Sequence, residues 1–123
     1  MRLMMFVAAA VLMPTAASAQ SMNAETFLQR ANKLMAKGPM ALFSRKEIKT
    51  LMKEGQASGQ AATARNKADK AAGRPTRFCA PPGVKMNSDE YMKRLGAIPK
   101  AERAKIDMTE ATTRIMAAKF PCH

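Results

Sequence analysis

The chain has 123 residues, 47% of them hydrophobic and 24% charged, with 21 Lys and Arg against 9 Asp and Glu, a formal net charge of +12. That apolar content argues against a disordered tail, the length leaves room for only one sizeable domain, and a single histidine with two cysteines argues against most multi-ligand metal centres. The basic excess makes the surface electropositive and favours acidic partners, whether protein, anionic lipid headgroups or nucleic acid.

Residues 1–19 read as a secretory signal. Arg2 supplies a basic start, Leu3 to Met13 is apolar and uncharged, Pro14 breaks the run, and Ala17-Ser18-Ala19 places small residues ahead of Gln20. Cleavage is expected between Ala19 and Gln20, and the apolar run falls well short of the roughly 20 residues that span a bilayer. The remaining 104 residues, 20–123, suit one small periplasmic domain in which 20 basic face 9 acidic side chains, a net +11. Its core is expected to be thin, because a chain of this size buries only about 60–70% of its unfolded surface. An even cysteine count in a small exported chain favours a disulfide between Cys79 and Cys122. Closing that loop of 44 residues is worth about 4 kcal/mol in the chain-entropy model. No Cys-x-x-Cys is present, so a redox motif is not expected. Nucleic acid is not expected as a partner either. It is the least available to an exported protein, and the basic residues alternate with Ala, Gln and Gly rather than with stacking aromatics.

Asn23 is placed to cap a helix whose apolar positions, Ala24, Phe27, Leu28, Ala31, Leu34 and Met35, recur at three and four residues. Gly38-Pro39 ends it, and Met40 to Phe43 reads as an apolar linker that tucks into the core. Ser44 and Glu47 have capping-box spacing. Behind them Ile48, Leu51, Met52 and Gly55 line one face of a long helix, continued by Gly59, Ala62 and Asn66. Its far end, Ala57 to Ala72, is poor in large side chains. It reads as a solvated helix whose small residues let another helix approach closely.

Glycines and prolines mark a loop over 73–87 that contains Cys79. Asn87 or Ser88 then caps a short helix with Tyr91, Met92 and Leu95, ended by Gly96 and Pro99. After a turn through 100–105, Asp107 and Glu110 repeat the capping-box spacing, and Met108, Ala111, Ile115 and Ala118 form the face of a last helix leading to Cys122. No alternating strand pattern appears. The expected class is all-α, a small disulfide-linked bundle of four to five helices.

No catalytic residue, metal ligand set or cofactor is implied by the pattern. His123 is the only histidine and is the last residue, which leaves neither a zinc ligand set nor a Ser-His-Asp arrangement. The acidic residues mostly fall in first turns of helices, where they offset the helix dipole. Gly55-x-x-x-Gly59 lacks the Lys and Ser/Thr of a phosphate-binding loop. Eight methionines follow residue 20. A thioether-lined groove for client peptides is the sharper reading, but their place on the Leu and Ile stripes favours core filling.

The segments Phe78-Cys79-Ala80-Pro81-Pro82-Gly83-Val84 and Phe120-Pro121-Cys122, with Tyr91, Leu95 and Pro99 between them, are similar to the Rap/Tai family. These are small helical periplasmic immunity proteins against cell-wall amidases injected by type VI secretion systems. The likeness covers about the last 46 residues, and Gly55-x-x-x-Gly59 resembles the small-residue pair of the family's central helix. Lys53 and Gln56 stand where family members commonly carry a cysteine and a tyrosine. The resemblance implies that the family's cysteine pair maps onto Cys79 and Cys122. It also implies a protein that occludes an amidase cleft without chemistry of its own. The stiff loop from Arg74 to Lys85 is the expected contact, through Arg74, Arg77 and Lys85. The alternative is a cationic envelope protein that binds anionic lipid or chaperones acidic clients; a membrane surface ranks below a protein partner, and a homodimer is compatible with either.

Overall fold

The computed structural model describes residues 21–123; the expected signal segment and the cleavage point expected between Ala19 and Gln20 lie outside the described residues. Among these residues the chain forms α1 (Ala24–Ala36), a 3-10 helix (Gly38–Phe43), α2 (Arg45–Ala71), α3 (Ser88–Ala97), the single turn α4 (Lys100–Arg103) and α5 (Met108–Lys119). Among the described residues no strand is present beyond one isolated bridge between Asn23 and Asp107. The protein is a small all-α bundle.

Three helices begin where short polar side chains satisfy free N–H groups. Asn23 Oδ1 accepts from the backbone of Glu25 at 3.0 Å and Thr26 at 3.1 Å, while Asn87 and Asp107 accept from Glu90 and Glu110 at 2.8 Å each. The fourth expected start differs. Ser44 Oγ takes the Lys37 ammonium at 3.0 Å, and Glu47 takes the Arg30 guanidinium at 2.5 and 2.9 Å, so the capping box of α2 is not made. A two-pronged charged hydrogen bond outcompetes a bond to one backbone N–H, and here it laces α1 to α2.

The core is Phe27 and Leu28 of α1, Leu51 of α2, Leu95 of α3, and Met108, Ala111 and Ile115 of α5. α5 packs mainly along α2 and also against α3. Three predicted positions of the helix faces, Met35, Met52 and Ala118, are exposed, and Ser58 takes a buried place on α2 by donating to the Glu54 carbonyl at 2.7 Å. On α5 the threonines 109, 112 and 113 are buried as well, because the helix is covered on more than one side.

The linker at 40–43 does not enter the core. Met40, Leu42 and Phe43 are 61, 70 and 84% exposed. Gly38, at a φ of +55°, turns the chain sharply, and the segment closes on itself through Met40 N–H to Lys37 O at 3.1 Å and Ser44 N–H to Ala41 O at 2.9 Å. No residue of the segment joins the core cluster or the residues packed against it.

Cys79 and Cys122 are joined, their Cα atoms 5.0 Å apart. The Cys79 N–H donates to Phe120 O at 2.9 Å, and Phe78 is buried. Asn66 holds this loop to α2: its amide donates to Phe78 O at 2.9 Å and its oxygen accepts from the Arg77 backbone at 3.0 Å. The far end of α2, poor in large side chains, is thereby secured by hydrogen bonding. At the opposite end of α5, residues 21–24 run beside 106–108, with Met108 N–H donating to Met22 O at 2.7 Å.

Candidate functional site

The apolar stripes of α1 and α2 are longer than the core they serve. On α1 the buried residues stop at Ala31, yet Leu34 and Met35 continue the stripe; on α2 Leu51 is buried, yet Met52 beside it is not. With the start of α3 these leftover positions enclose an open groove of about 830 Å³. Phe27, Ala31 and Leu51 belong to both the core and the groove. Four thioethers line it, from Met35, Met52, Met86 and Met92. The first two are 58 and 60% exposed, and the others are partly buried against the core. Unbranched thioether chains repack at little cost, which suits a surface that receives an irregular apolar partner.

Gly55 lies in this groove, and Gly59 lies in a second one of about 770 Å³ between α2 and α5. A methyl group at either position would meet nothing within 4 Å. The close helix approach expected of the small residues over 57–72 is made, since α5 packs mainly along α2, where Ser58 and Ala62 are buried; Gly55 and Gly59 themselves face open space. Tyr91 closes the inner edge of the first groove, its hydroxyl 2.6 Å from Thr112 Oγ1. Burial pushes the phenol pKa up, so the group stays neutral at physiological pH.

Most of the ion pairs are made by arginine: Arg30, Arg74, Arg77, Arg94, Arg103 and Arg114 pair with carboxylates within the fold, and Lys119 is the one lysine among the described residues that does so, on Glu90. Lys46, Lys49 and Lys53 surround a hollow on α2 of about 620 Å³ that shares Met52 and Gln56 with the thioether groove. None of the three pairs with a carboxylate among the described residues. An apolar groove and an unneutralised lysine row thus share one border.

The cations of the 74–85 loop are placed differently. Arg77 forks onto Glu110 of α5 at 2.5 and 2.8 Å, which raises its own pKa and, as the largest cause, holds the Glu110 carboxyl below the usual range. Arg74 donates to Asp69 at the end of α2 at 3.0 Å. Lys85 is exposed and borders the second groove beside Val84. The three therefore have different neighbours. Two of them are committed to holding the loop in place. The sequence offers a thioether-lined groove as the sharper reading of its methionines but favours core filling; the signal that separates the two at Met35 and Met52 is the extension of each stripe beyond its buried segment.

Among the described residues no group of three or more His, Cys, Asp or Glu side chains could hold a metal ion, and no helix is long and apolar enough to cross a membrane. Compared with known proteins, the chain matches no family model, no curated protein and no solved structure.

Proposed function

We propose that the protein is a periplasmic binding protein of the immunity type, which acts by covering a partner protein's surface and performs no reaction itself. The observation that carries this reading is the thioether-lined groove with the row Lys46, Lys49 and Lys53 on its border. Such a surface fits an amphipathic helix or loop whose apolar side chains enter the groove and whose carboxylates meet the lysines. The likeness of residues 78–84 and 120–122 to the Rap/Tai family supplies the partner class, a peptidoglycan amidase delivered by type VI secretion. The disulfide and the Arg77–Glu110 pair support it by stiffening the surface in advance, which lowers the entropy lost on binding.

The test is inhibition of the cognate amidase by wild-type protein and by the double variant Met35→Glu/Met52→Glu. Both side chains are exposed, so the variant is expected to fold normally by circular dichroism. Wild-type protein is expected to bind with nanomolar affinity and to block peptidoglycan cleavage, and the variant to bind at least about tenfold more weakly. If no peptidoglycan hydrolase is inhibited, the immunity reading is abandoned. If the double variant inhibits as well as wild type, the groove is not the contact, and Arg74, Arg77 and Lys85 become the next positions to change.

A further inference from the structure

The 3-10 helix at Gly38–Phe43 lies outside both grooves and carries the three most exposed large apolar side chains among the described residues, Met40, Leu42 and Phe43. Three such groups within four residues of a projecting turn form a surface that water disfavours and that a soft apolar medium would receive. The turn is built to leave water without stranding its backbone. Pro39 has no N–H, Met40 and Ser44 donate to the carbonyls of Lys37 and Ala41, and the Lys37 ammonium ties the base of the turn to Ser44 Oγ.

Charge selects among the media that could receive it. Between Glu25 and Glu47 the sequence holds no acidic residue but has Arg30, Lys33, Lys37, Arg45 and Lys46. Glu47 itself is occupied by Arg30, and Arg45, Lys46 and Lys49 are exposed without a carboxylate partner among the described residues. A second copy of the chain would bring these cations against their own kind, which argues against self-association through the turn. An anionic bilayer offers both required elements, acyl chains for the apolar tip and phosphates for the cations around it.

We propose that residues 40–43 are a shallow membrane anchor, inserted among the headgroups of an anionic phospholipid bilayer while Lys37, Arg45, Lys46 and Lys49 lie against the phosphates. This goes beyond partner binding: its apolar tip lies outside the groove, while Lys46 and Lys49 are shared with the groove's border. The attachment proposed is peripheral and reversible, an apolar tip held among the headgroups with cations on the phosphates.

The chain contains no tryptophan, so Phe43→Trp introduces a single indole at the tip. The experiment uses full-length protein, expressed with its own leader and purified as the cell processes it, titrated with phosphatidylglycerol–phosphatidylcholine vesicles and with pure phosphatidylcholine vesicles. The expected result is a blue shift of the indole emission on the anionic vesicles. Partitioning should be at least about tenfold weaker on the neutral ones and fall steeply from low to physiological salt. Leu42→Ser in the same background, and separately Lys46→Glu/Lys49→Glu, should each weaken partitioning about tenfold or more, with the helical circular dichroism unchanged. Met35→Glu/Met52→Glu should leave the tip's response in place, which separates failure of the anchor from failure of the groove. The proposal is overturned by an absent shift, by equal response to neutral vesicles, by indifference to Leu42→Ser, or by an indole that responds to the amidase and not to lipid. The last outcome would assign the tip to the protein interface.

Discussion

Arg103 is the one charged side chain that the described part of the fold buries. Its Nε donates to Glu25 at 2.7 Å and its Nη1 to the carbonyls of Gly96 and Ile98, so one planar group ties α4 to α1 and to the end of α3. The same logic recurs at Glu47 with Arg30, Glu90 with Lys119 and Glu110 with Arg77. In all four cases the hydrogen bond from the cation is the largest cause holding the carboxyl below its ordinary value of 4.5. A carboxyl with a depressed folded pKa stabilises the native state fully above its unfolded value and loses that contribution as pH falls through the folded one. The thermal midpoint is therefore expected to be nearly level from neutral pH to about 5 and to drop below it. The variant Glu25→Gln/Glu47→Gln/Glu90→Gln/Glu110→Gln should start lower at neutral pH and descend more gently. Calorimetric midpoints across the acid range check this, and parallel curves for the two proteins would show that these pairs do not govern acid unfolding.

At the scale of elements, where a helix starts was more legible than what it packs against. The caps at Asn23, Asn87 and Asp107 are written within three or four residues, and the structure makes each of them. The box at Ser44 has the same local spelling but fails because Arg30 and Lys37 reach its two members from another element, which no local pattern encodes. The apolar run Met-Ala-Leu-Phe at 40–43 reads as core, and only the folded chain shows that the turn closes on itself and leaves its large side chains outside the core cluster. For the same reason the thioether groove was visible as methionines on stripes, while their exposure was not. Asn66 is a further case. It was a marginal member of the α2 face, yet it bonds to three backbone groups of residues 77 and 78. Asn66→Ala is expected to cost about 1–3 kcal/mol and leave those groups partly unpaired. Hydrogen exchange of the Arg77 and Phe78 amides should accelerate about tenfold or more, while the α1 amides keep their relative order of protection. Unchanged exchange at residues 77 and 78 would mean that the disulfide alone holds the loop.

Across the whole molecule, the bridge and the two proposed surfaces stand in a particular relation. The loop closed by Cys79 and Cys122 contains Met86 and Met92, one wall of the groove, together with all of α3 and α5. The tip at 40–43 and the lysines of α2 lie outside it. Opening the bridge releases a 44-residue loop worth about 4 kcal/mol, a large part of the roughly 5–15 kcal/mol that holds a small domain together. Both cysteines are exposed, so a reductant can reach the sulfurs without prior unfolding. Reduced protein, or Cys79→Ser/Cys122→Ser, is expected to keep most of its helical signal below its lowered melting midpoint while the α3 wall becomes mobile against α1 and α2. Amidase binding through the groove should then weaken, and partitioning of the tip onto anionic vesicles should stay close to that of the oxidised protein. Equal loss of both activities would mean that the bridge supports the bundle as a unit, and loss of neither would mean that the α3 wall takes no part in recognition.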